Sequence, residues 1–293
     1  MTSVAGAAVV VGVDGSSHSM VAVEMAAAEA ALRHRPLRIV HVLVWPKLPV
    51  PRPPGVTETS PEASRDQAYG YLTEAAGFAD KVATDVPVST KLVTGRPAAV
   101  LADESRRADL LVVGERGMGG LLFGSVATEL ASHAACPVLI VHGEPRTTGP
   151  VVVGVDGSAQ STGVLDFALQ EASLRGSPLV ALHAWTGHDS TELDLDLAAK
   201  RECRSGDARE RRVLAEALSG AGGRYPDVPI RRQVLRGGAG PLLGEWSHTA
   251  QLVVVGDRCH GGLTGLALGS VSQHLIFHAA CPTVVVRARP PAY

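Results

Sequence analysis

The chain has 293 residues, of which 45% are hydrophobic and 19% are charged, so it can form one large domain or two domains of about 150 residues each. Its 27 basic and 29 acidic residues include no basic stripe that could neutralise a run of phosphates, which argues against a nucleic-acid partner. Four cysteines without zinc spacing or disulfide-framework density favour a reducing cytoplasm, and the lack of an apolar stretch of about 18 residues argues against a membrane partner or export.

Strands and helices are predicted to alternate along the first half. Short valine-rich runs without alternation, bounded by turn signals, predict strands that are buried on both faces of a parallel sheet. These runs are 7–13, 37–44, 86–93, 110–113 and 138–142. Alanine-rich segments of helical character lie between them, at 17–34, 64–82, 98–107 and 126–134. With right-handed crossovers, this order predicts an α/β fold in which helices cover both faces of a five-stranded parallel sheet.

A six-proline segment follows the second strand, at 45–61. Proline at this density is incompatible with a helix or a central strand, so an exposed loop is expected. The matching segment of the second half, 187–200, is acidic and has no proline. Because the two segments differ so much, we expect a surface feature that does not carry a shared function.

The second half repeats the first. The octapeptide VVVGVDGS occurs at 9–16 and again 142 positions later, and HAACP, at His133 and His278, recurs 145 positions later. Strands are therefore expected near Val151, Leu179, Ile230, Leu252 and Thr283. The chain is predicted to form two repeated doubly wound domains, 1–145 and 150–293, joined by a short linker.

Topology predicts where each half binds a ligand. Ligands of open parallel sheets bind outside the carboxyl ends of the strands, at the point where the strand order reverses. For the order 3-2-1-4-5, this point lies between strands one and four. Asp14 and Asp156 follow the first strand of each half, and Gly114 and Gly256 end the fourth. A site is therefore expected between these residues in each half.

A glycine-rich loop begins at Gly114 and at Gly256, and each copy ends in Gly-Ser before a helix. Glycines let the backbone approach a ligand, and the N–H groups of a helix start favour an anion such as phosphate. Asp14 could accept hydrogen bonds from a ribose, so the implied ligand is a nucleotide. Two alternatives stay open: that Asp14 only caps the next helix, and that the glycines only form a tight turn. Neither a P-loop nor a first-strand G-x-G-x-x-G motif is present.

The chain resembles the universal stress protein family, and specifically its tandem two-domain members. The segments that carry the resemblance are VVVGVDGS, the His-bearing second strands IVHVLVW and VALHAWTG, LLVVGERG or LVVVGDRC, and HAACPVLIV or HAACPTVVV. The resemblance implies bound ATP, with Mg²⁺ as an open addition, the adenine near Val42 or Ala184 and the ribose near Asp14 or Asp156. It places the triphosphate on Gly114, Gly117, Gly124 and Ser125, or on Gly256, Gly269 and Ser270.

The resemblance also implies a role. It favours a cytoplasmic stress-response module that regulates an unidentified protein partner with little or no catalysis. It also implies that the last strands, at Val138 and Thr283, pair within the chain, with a homodimer as a further arrangement. An ATP-hydrolysing or phosphate-transferring enzyme and a scaffold with decayed nucleotide sites remain alternatives.

Both loops depart from the family signature G-x2-G-x9-G-[ST]. The first is three residues shorter, and the second has Cys259 in place of the second glycine. We hypothesise that the first half is the weaker site, because a shortened loop displaces several amides whereas Cys259 perturbs one position. Cys259 is also a candidate redox-sensitive thiol, while Cys136 and Cys281 resemble core cysteines. His18 is a candidate base, although an exposed helix residue is the simpler interpretation.

Overall fold

The structure of the protein is a computed structural model that describes residues 7–44, 60–116, 125–143, 145–158, 161–186, 198–257 and 268–287. The chain divides into two compact units, Met1–Val141 and His142–Tyr293. Each is described separately below.

The first unit is a parallel five-stranded sheet in the order β3-β2-β1-β4-β5. Its strands are β1 (Ala8–Val13), β2 (Leu37–Leu43), β3 (Val88–Thr94), β4 (Ala108–Gly114) and β5 (Val138–Val141). Its helices are α1 (Ser17–Leu32), α2 (Pro61–Val82), α3 (Pro97–Glu104) and α4 (Ser125–His133), and a 3₁₀ turn, Ser105–Arg107, follows α3. The helices α1 and α2 pack on each other, and α3 packs on α4.

The second unit has the same topology, β8-β7-β6-β9-β10, with all strands parallel. Its strands are β6 (Val151–Gly154), β7 (Leu179–Trp185), β8 (Ile230–Arg236), β9 (Leu252–Gly256) and β10 (Thr283–Val286). Its helices are α5 (Ser161–Leu174), α6 (Ala198–Ala217), α7 (Ala221–Arg224), α8 (Ala239–Ser247) and α9 (Ser270–His278). The predicted fold class, two doubly wound α/β domains, is confirmed.

The central strands form the core of each unit. The valines of β1 and β6 are buried, and the alanines of α1 let that helix approach the sheet closely. Burial of such side chains stabilises a domain by about 1.5–3 kcal/mol each. The first strand of each unit is therefore a rigid base for the turn that follows it.

Two sequence-based predictions need correction. Burial on both faces was predicted for every strand, but β3 and β8 lie at sheet edges, and their residues are exposed or half-buried. The loop predicted at 45–61 ends earlier, because α2 begins at Pro61, where proline suits the first helical position and the Ser60 hydroxyl accepts from the Ala63 N–H. Residues 198–200 of its counterpart are likewise helical in α6; the remainder of both segments lies outside the described residues.

Candidate functional site

The aspartate after the first strand of each unit organises a helix start. Asp14 Oδ1 accepts from the backbone N–H of Ser16 at 3.0 Å and from its hydroxyl at 2.6 Å, and Ser16 in turn caps α1. Asp156 Oδ1 accepts from the N–H of Ser158 at 3.0 Å and from the hydroxyl of Ser161, the first residue of α5. The helix-starting role that the sequence left open is therefore present in both units.

A histidine ties the second strand to the first. His41 Nδ1 lies 2.9 Å from the carbonyl oxygen of Val13, and His183 Nδ1 lies 2.7 Å from that of Val155. A carbonyl only accepts hydrogen bonds, so Nδ1 carries the proton in both rings. Because the bonded carbonyl directly precedes the aspartate, the next residue of the second strand, Ala184 in the second unit, is held beside the aspartate turn.

A helix covers this turn in each unit, but with different side chains. In the first unit the ring of Tyr71 lies 5.6 Å from that of His41. In the second, His183 Nε2 lies 2.8 Å from Glu210 Oε2 on α6. The repeat thus keeps the histidine and changes the side chain that lies against its ring.

A pocket of about 400 Å³ lies at the carboxyl ends of β6, β7 and β9 in the second unit. Four predicted site residues line it: Asp156, Ala184, Gly256 and Ser270. The fifth, Gly269, directly precedes Ser270 and donates its N–H to the Asp257 carbonyl at 2.8 Å. Residues 258–267 of the loop between Gly256 and Gly269, including Cys259, lie outside the described residues.

Three helices of the second unit begin at this pocket. Their first residues, Ser161 of α5, Ala239 of α8 and Ser270 of α9, line it. The residues that precede α8 and α9 are Gly238 and Gly269, neither of which provides a side-chain cap. First-turn N–H groups of this kind, at the positive end of the helix dipole, favour an anion.

The sequence-based prediction did not include the wall of the pocket that the α8 segment contributes. Gly237, Gly238, Ala239 and Leu243 all line the pocket. One signal was present, because Gly237 recurs as Gly95 at the repeat distance.

The first unit places its predicted residues similarly but fills the surrounding positions with larger side chains. Asp14 follows β1, and Gly114 ends the adjacent strand β4. Val42 lies in β2, and Ser125 begins α4. Gly117 and Gly124 lie outside the described residues. The second unit's Ala184, Thr186, Gly238 and Ala239 correspond to Val42, Val44, Arg96 and Pro97.

Close packing against α1 explains why residue 114 is a glycine. A Cβ added there would lie 3.0 Å from the carbonyl oxygen of His18, in the first turn of α1. His18 itself is exposed, in line with its interpretation as a helix surface residue.

The remaining candidates have structural roles. Burial raises the pKa of both the Cys136 and the Cys281 thiol to about 12, so neither forms a reactive thiolate near neutral pH. His133 and His278 donate from Nδ1 to the carbonyls of Glu129 and His274, each at 2.9 Å, so each ring is bound to the last turn of its own helix.

The described ranges hold neither a metal cluster nor a membrane span. Those residues contain no group of three or more His, Cys, Asp or Glu side chains that could hold a metal ion. None of the helices described there is long and apolar enough to cross a membrane.

Known proteins resemble this chain over nearly its whole length. The model of the universal stress protein family matches residues 7–142 and again 147–287. A universal stress protein of Mycobacterium tuberculosis is 38% identical over 296 residues, covering 95% of this chain and 96% of its own, and one of Mycolicibacterium smegmatis is 37% identical over 297 residues, covering 96% and 97%. The crystal structure of a universal stress protein from Archaeoglobus fulgidus matches the fold with a TM-score of 0.70 at 18% identity, covering 98% of both chains. The chain therefore belongs to the universal stress protein family and carries two of its domains in tandem.

Proposed function

We propose that the second unit binds an adenine nucleotide in the pocket beside Asp156. The observation that carries this proposal is the convergence of three helix starts and one carboxylate on a cavity of about 400 Å³. Cavities of roughly 300–1,000 Å³ are typical of small-ligand sites. Phosphates suit the first turns of α8 and α9, and ribose hydroxyls suit a carboxylate.

The ligand we propose is ATP, with or without Mg²⁺. Its adenine would lie near Ala184, its ribose near Asp156, and its phosphates near Gly256, Gly269 and Ser270. The described lining consists of glycine, serine, threonine and aliphatic residues around Asp156. This composition supports binding more than hydrolysis, which requires a base or metal ligands beside the γ-phosphate. The protein would act as a regulatory stress-response module.

We propose that the first unit binds nucleotide more weakly. Val42 and Arg96 are larger than their counterparts Ala184 and Gly238, and the Arg96 guanidinium extends to Glu129 of α4, at 3.6 Å. The loop between Gly114 and Ser125 is also three residues shorter than its counterpart. Both differences reduce the room and the number of amides available to a phosphate chain.

The cellular location and the partners of the protein are also proposals. We expect it in the cytoplasm, with an unidentified protein as its downstream partner. The domain limits 1–145 and 150–293, and pairing of the last strands within the chain or across a homodimer, stay predictions.

Bound nucleotide tests the proposed function directly. The protein is purified without added nucleotide and denatured, and released adenine nucleotide per chain is quantified by mass spectrometry for the wild type, Asp14→Ala and Asp156→Ala. We expect nucleotide in the wild type and in Asp14→Ala, and its loss in Asp156→Ala. Loss in Asp14→Ala alone would contradict the assignment to the second unit. A wild type that holds no nucleotide, even when ATP is added back, would favour a scaffold, and steady ADP production that depends on Asp156 would favour an enzyme.

A further inference from the structure

The imidazole of His274, on α9, lies in a groove that two glycines open on α8. A Cβ added to Gly240 would lie 3.0 Å from both Cβ and Cγ of His274, and one added to Gly244 would lie 3.5 Å from its Nε2. The two glycines are one helical turn apart, so the ring lies along a surface made of backbone. A side chain at Gly240 would force the ring or the helix to move.

The first unit lacks this arrangement at all three positions. Ala98 and Ala102 replace the two glycines, and Glu129 replaces His274. Glu129 instead pairs with Arg96, the residue that precedes α3. Glycine disfavours a helix relative to alanine, so the glycines of α8 are unfavourable for the helix alone. They leave the space that the His274 ring occupies.

The two helices that His274 joins form one wall of the pocket. Gly238, Ala239 and Leu243 of the α8 segment and Ser270 and Val271 of α9 line the cavity. Gly240 is two residues from Gly238, and His274 is about one turn from Ser270. The contact between ring and groove therefore lies within one turn of both uncapped helix starts.

His278 places a second imidazole against His274. The ring centroids are 4.5 Å apart and the planes are 18° from parallel. Burial lowers the pKa of His274, and the charge of His278 lowers it further. The neutral ring is thus the form that fits the groove, since a protonated ring would require hydration and would repel a protonated neighbour.

Within the described residues, the other elements packed against α9 contribute few charges. The titratable side chains are Glu245 of α8 and His248, the residue that directly follows this helix, and both are exposed. The strands β9 and β10 carry none. Protonation of His274 is therefore poorly compensated where the helices meet.

We propose that His274 is a positioning residue that sets the spacing of α8 and α9 at the pocket, and that protonation of its ring widens this spacing and weakens nucleotide binding. The inference rests on the proposed function of the second unit. Only the second unit would then have a pH-responsive contact between these two helices.

ATP affinity as a function of pH tests the proposal on the full chain. Calorimetric titrations from pH 8.0 to pH 5.5 compare the wild type with His274→Gln, which fills similar space without titrating, and with Glu129→Gln as the matched control in the first unit. We expect the wild type to lose more affinity over this range than His274→Gln, with the excess approaching about tenfold at pH values below both pKa values of His274 if these differ by one unit between bound and free protein. Titration of the ATP phosphates is common to all three proteins, so it cancels in the comparison. His274→Gln should show only this common pH dependence.

Two results would overturn the proposal. One is an unchanged pH profile in His274→Gln. The other is a wild type that binds more tightly at low pH, which would show that the charged ring attracts phosphate rather than separating the helices.

A double substitution tests the groove without changing pH. Gly240→Ala should weaken ATP binding at pH 8.0 by about tenfold, because the added Cβ pushes the ring and α8 apart. The same substitution in a His274→Ala background should have little further effect, since no ring remains to be displaced. Equal losses in both backgrounds would overturn the role of His274.

A readout without nucleotide separates this inference from the proposed function. In amide NMR spectra of the free protein, the signals of Gly238 and Ser270 should titrate with the same midpoint as the His274 ring, and this titration should disappear in His274→Gln. If these signals titrate as expected but ATP does not bind, the role of His274 stands and the proposed function is wrong. If they do not titrate, His274 does not control the pocket.

Discussion

The glycine that follows the aspartate in each unit is required by both its backbone angle and its neighbour. Gly15 has φ of +87° and Gly157 has φ of +76°, a region that other residues rarely adopt. A Cβ on Gly15 would lie 2.6 Å from the ring of Tyr71, and one on Gly157 would collide with Val213. The helix above the turn thus depends on the missing side chain.

Replacing Gly157 by alanine should destabilise the second unit. The positive φ and the collision with Val213 together predict a loss of about 1–3 kcal/mol in the free energy of unfolding. Gly163→Ala is the matched control, because no atom lies within 4 Å of a Cβ added there and alanine favours the helix by up to about 1 kcal/mol. Urea denaturation of both variants measures the difference, and equal stability would contradict the account of this turn.

Placing one residue of the first unit at the matching position of the second should lower the ATP affinity of the second unit. Gly238→Arg introduces the first unit's residue at the pocket wall, where the backbone has an ordinary φ of −70°. We expect ATP affinity to fall by more than about tenfold, because the arginine fills space at the start of α8. Gly238→Ala, whose Cβ would make ordinary contacts with Pro241 at 3.4 Å and 3.7 Å, should bind nearly as well as the wild type. Equal affinity of Gly238→Arg and Gly238→Ala would exclude this wall from the site.

At the scale of elements, the units stabilise matching helices in different ways. Glu104, at the end of α3, accepts from Lys91 of β3 at 2.6 Å and from Arg38 of β2 at 3.2 Å. The second unit has Trp246, Gln233 and Val180 at these positions. The second unit therefore lacks the charged side chains that form this cluster in the first.

The Glu104 cluster predicts a dependence of stability on pH. Burial raises the pKa of Glu104, but the hydrogen bonds and charges of Lys91 and Arg38 outweigh burial, so the pKa lies below its ordinary value. The cluster therefore stabilises the fold fully above the carboxyl's ordinary pKa, and this contribution disappears as pH falls through the lowered value. Because Lys91 and Arg38 are well exposed, we expect about 0.5–1 kcal/mol.

Comparison with Glu104→Gln checks that expectation. The variant should be less stable than the wild type at pH 7, and the two should converge as pH falls through the lowered pKa of Glu104. The exposed Asp103→Asn, which faces Arg106 of the 3₁₀ turn, should follow the wild type. A constant difference between wild type and Glu104→Gln at all pH values would show that packing, rather than charge, accounts for the effect.

At the scale of the whole molecule, repetition made most of the fold predictable. Valine-rich runs and the spacing of VVVGVDGS led to both sheets, their strand order and the position of Asp156 next to Gly256. The edges were not predictable in this way, because exposure of β3 and β8 depends on where each strand lies in the sheet rather than on its valine content. The wall containing Gly238 and Leu243 was missed for a related reason, since only the crossover through α8 brings it beside β6.

We propose that one pocket per chain, the one in the second unit, holds the nucleotide. Calorimetric titration of the full chain with ATP measures this directly as a stoichiometry, with Gly238→Arg and Arg96→Gly titrated in parallel. We predict about one ATP per chain, with an affinity that falls more than about tenfold in Gly238→Arg and is unchanged in Arg96→Gly. Two equivalent sites in the wild type, or a single site whose affinity is the same in Gly238→Arg, would contradict this proposal.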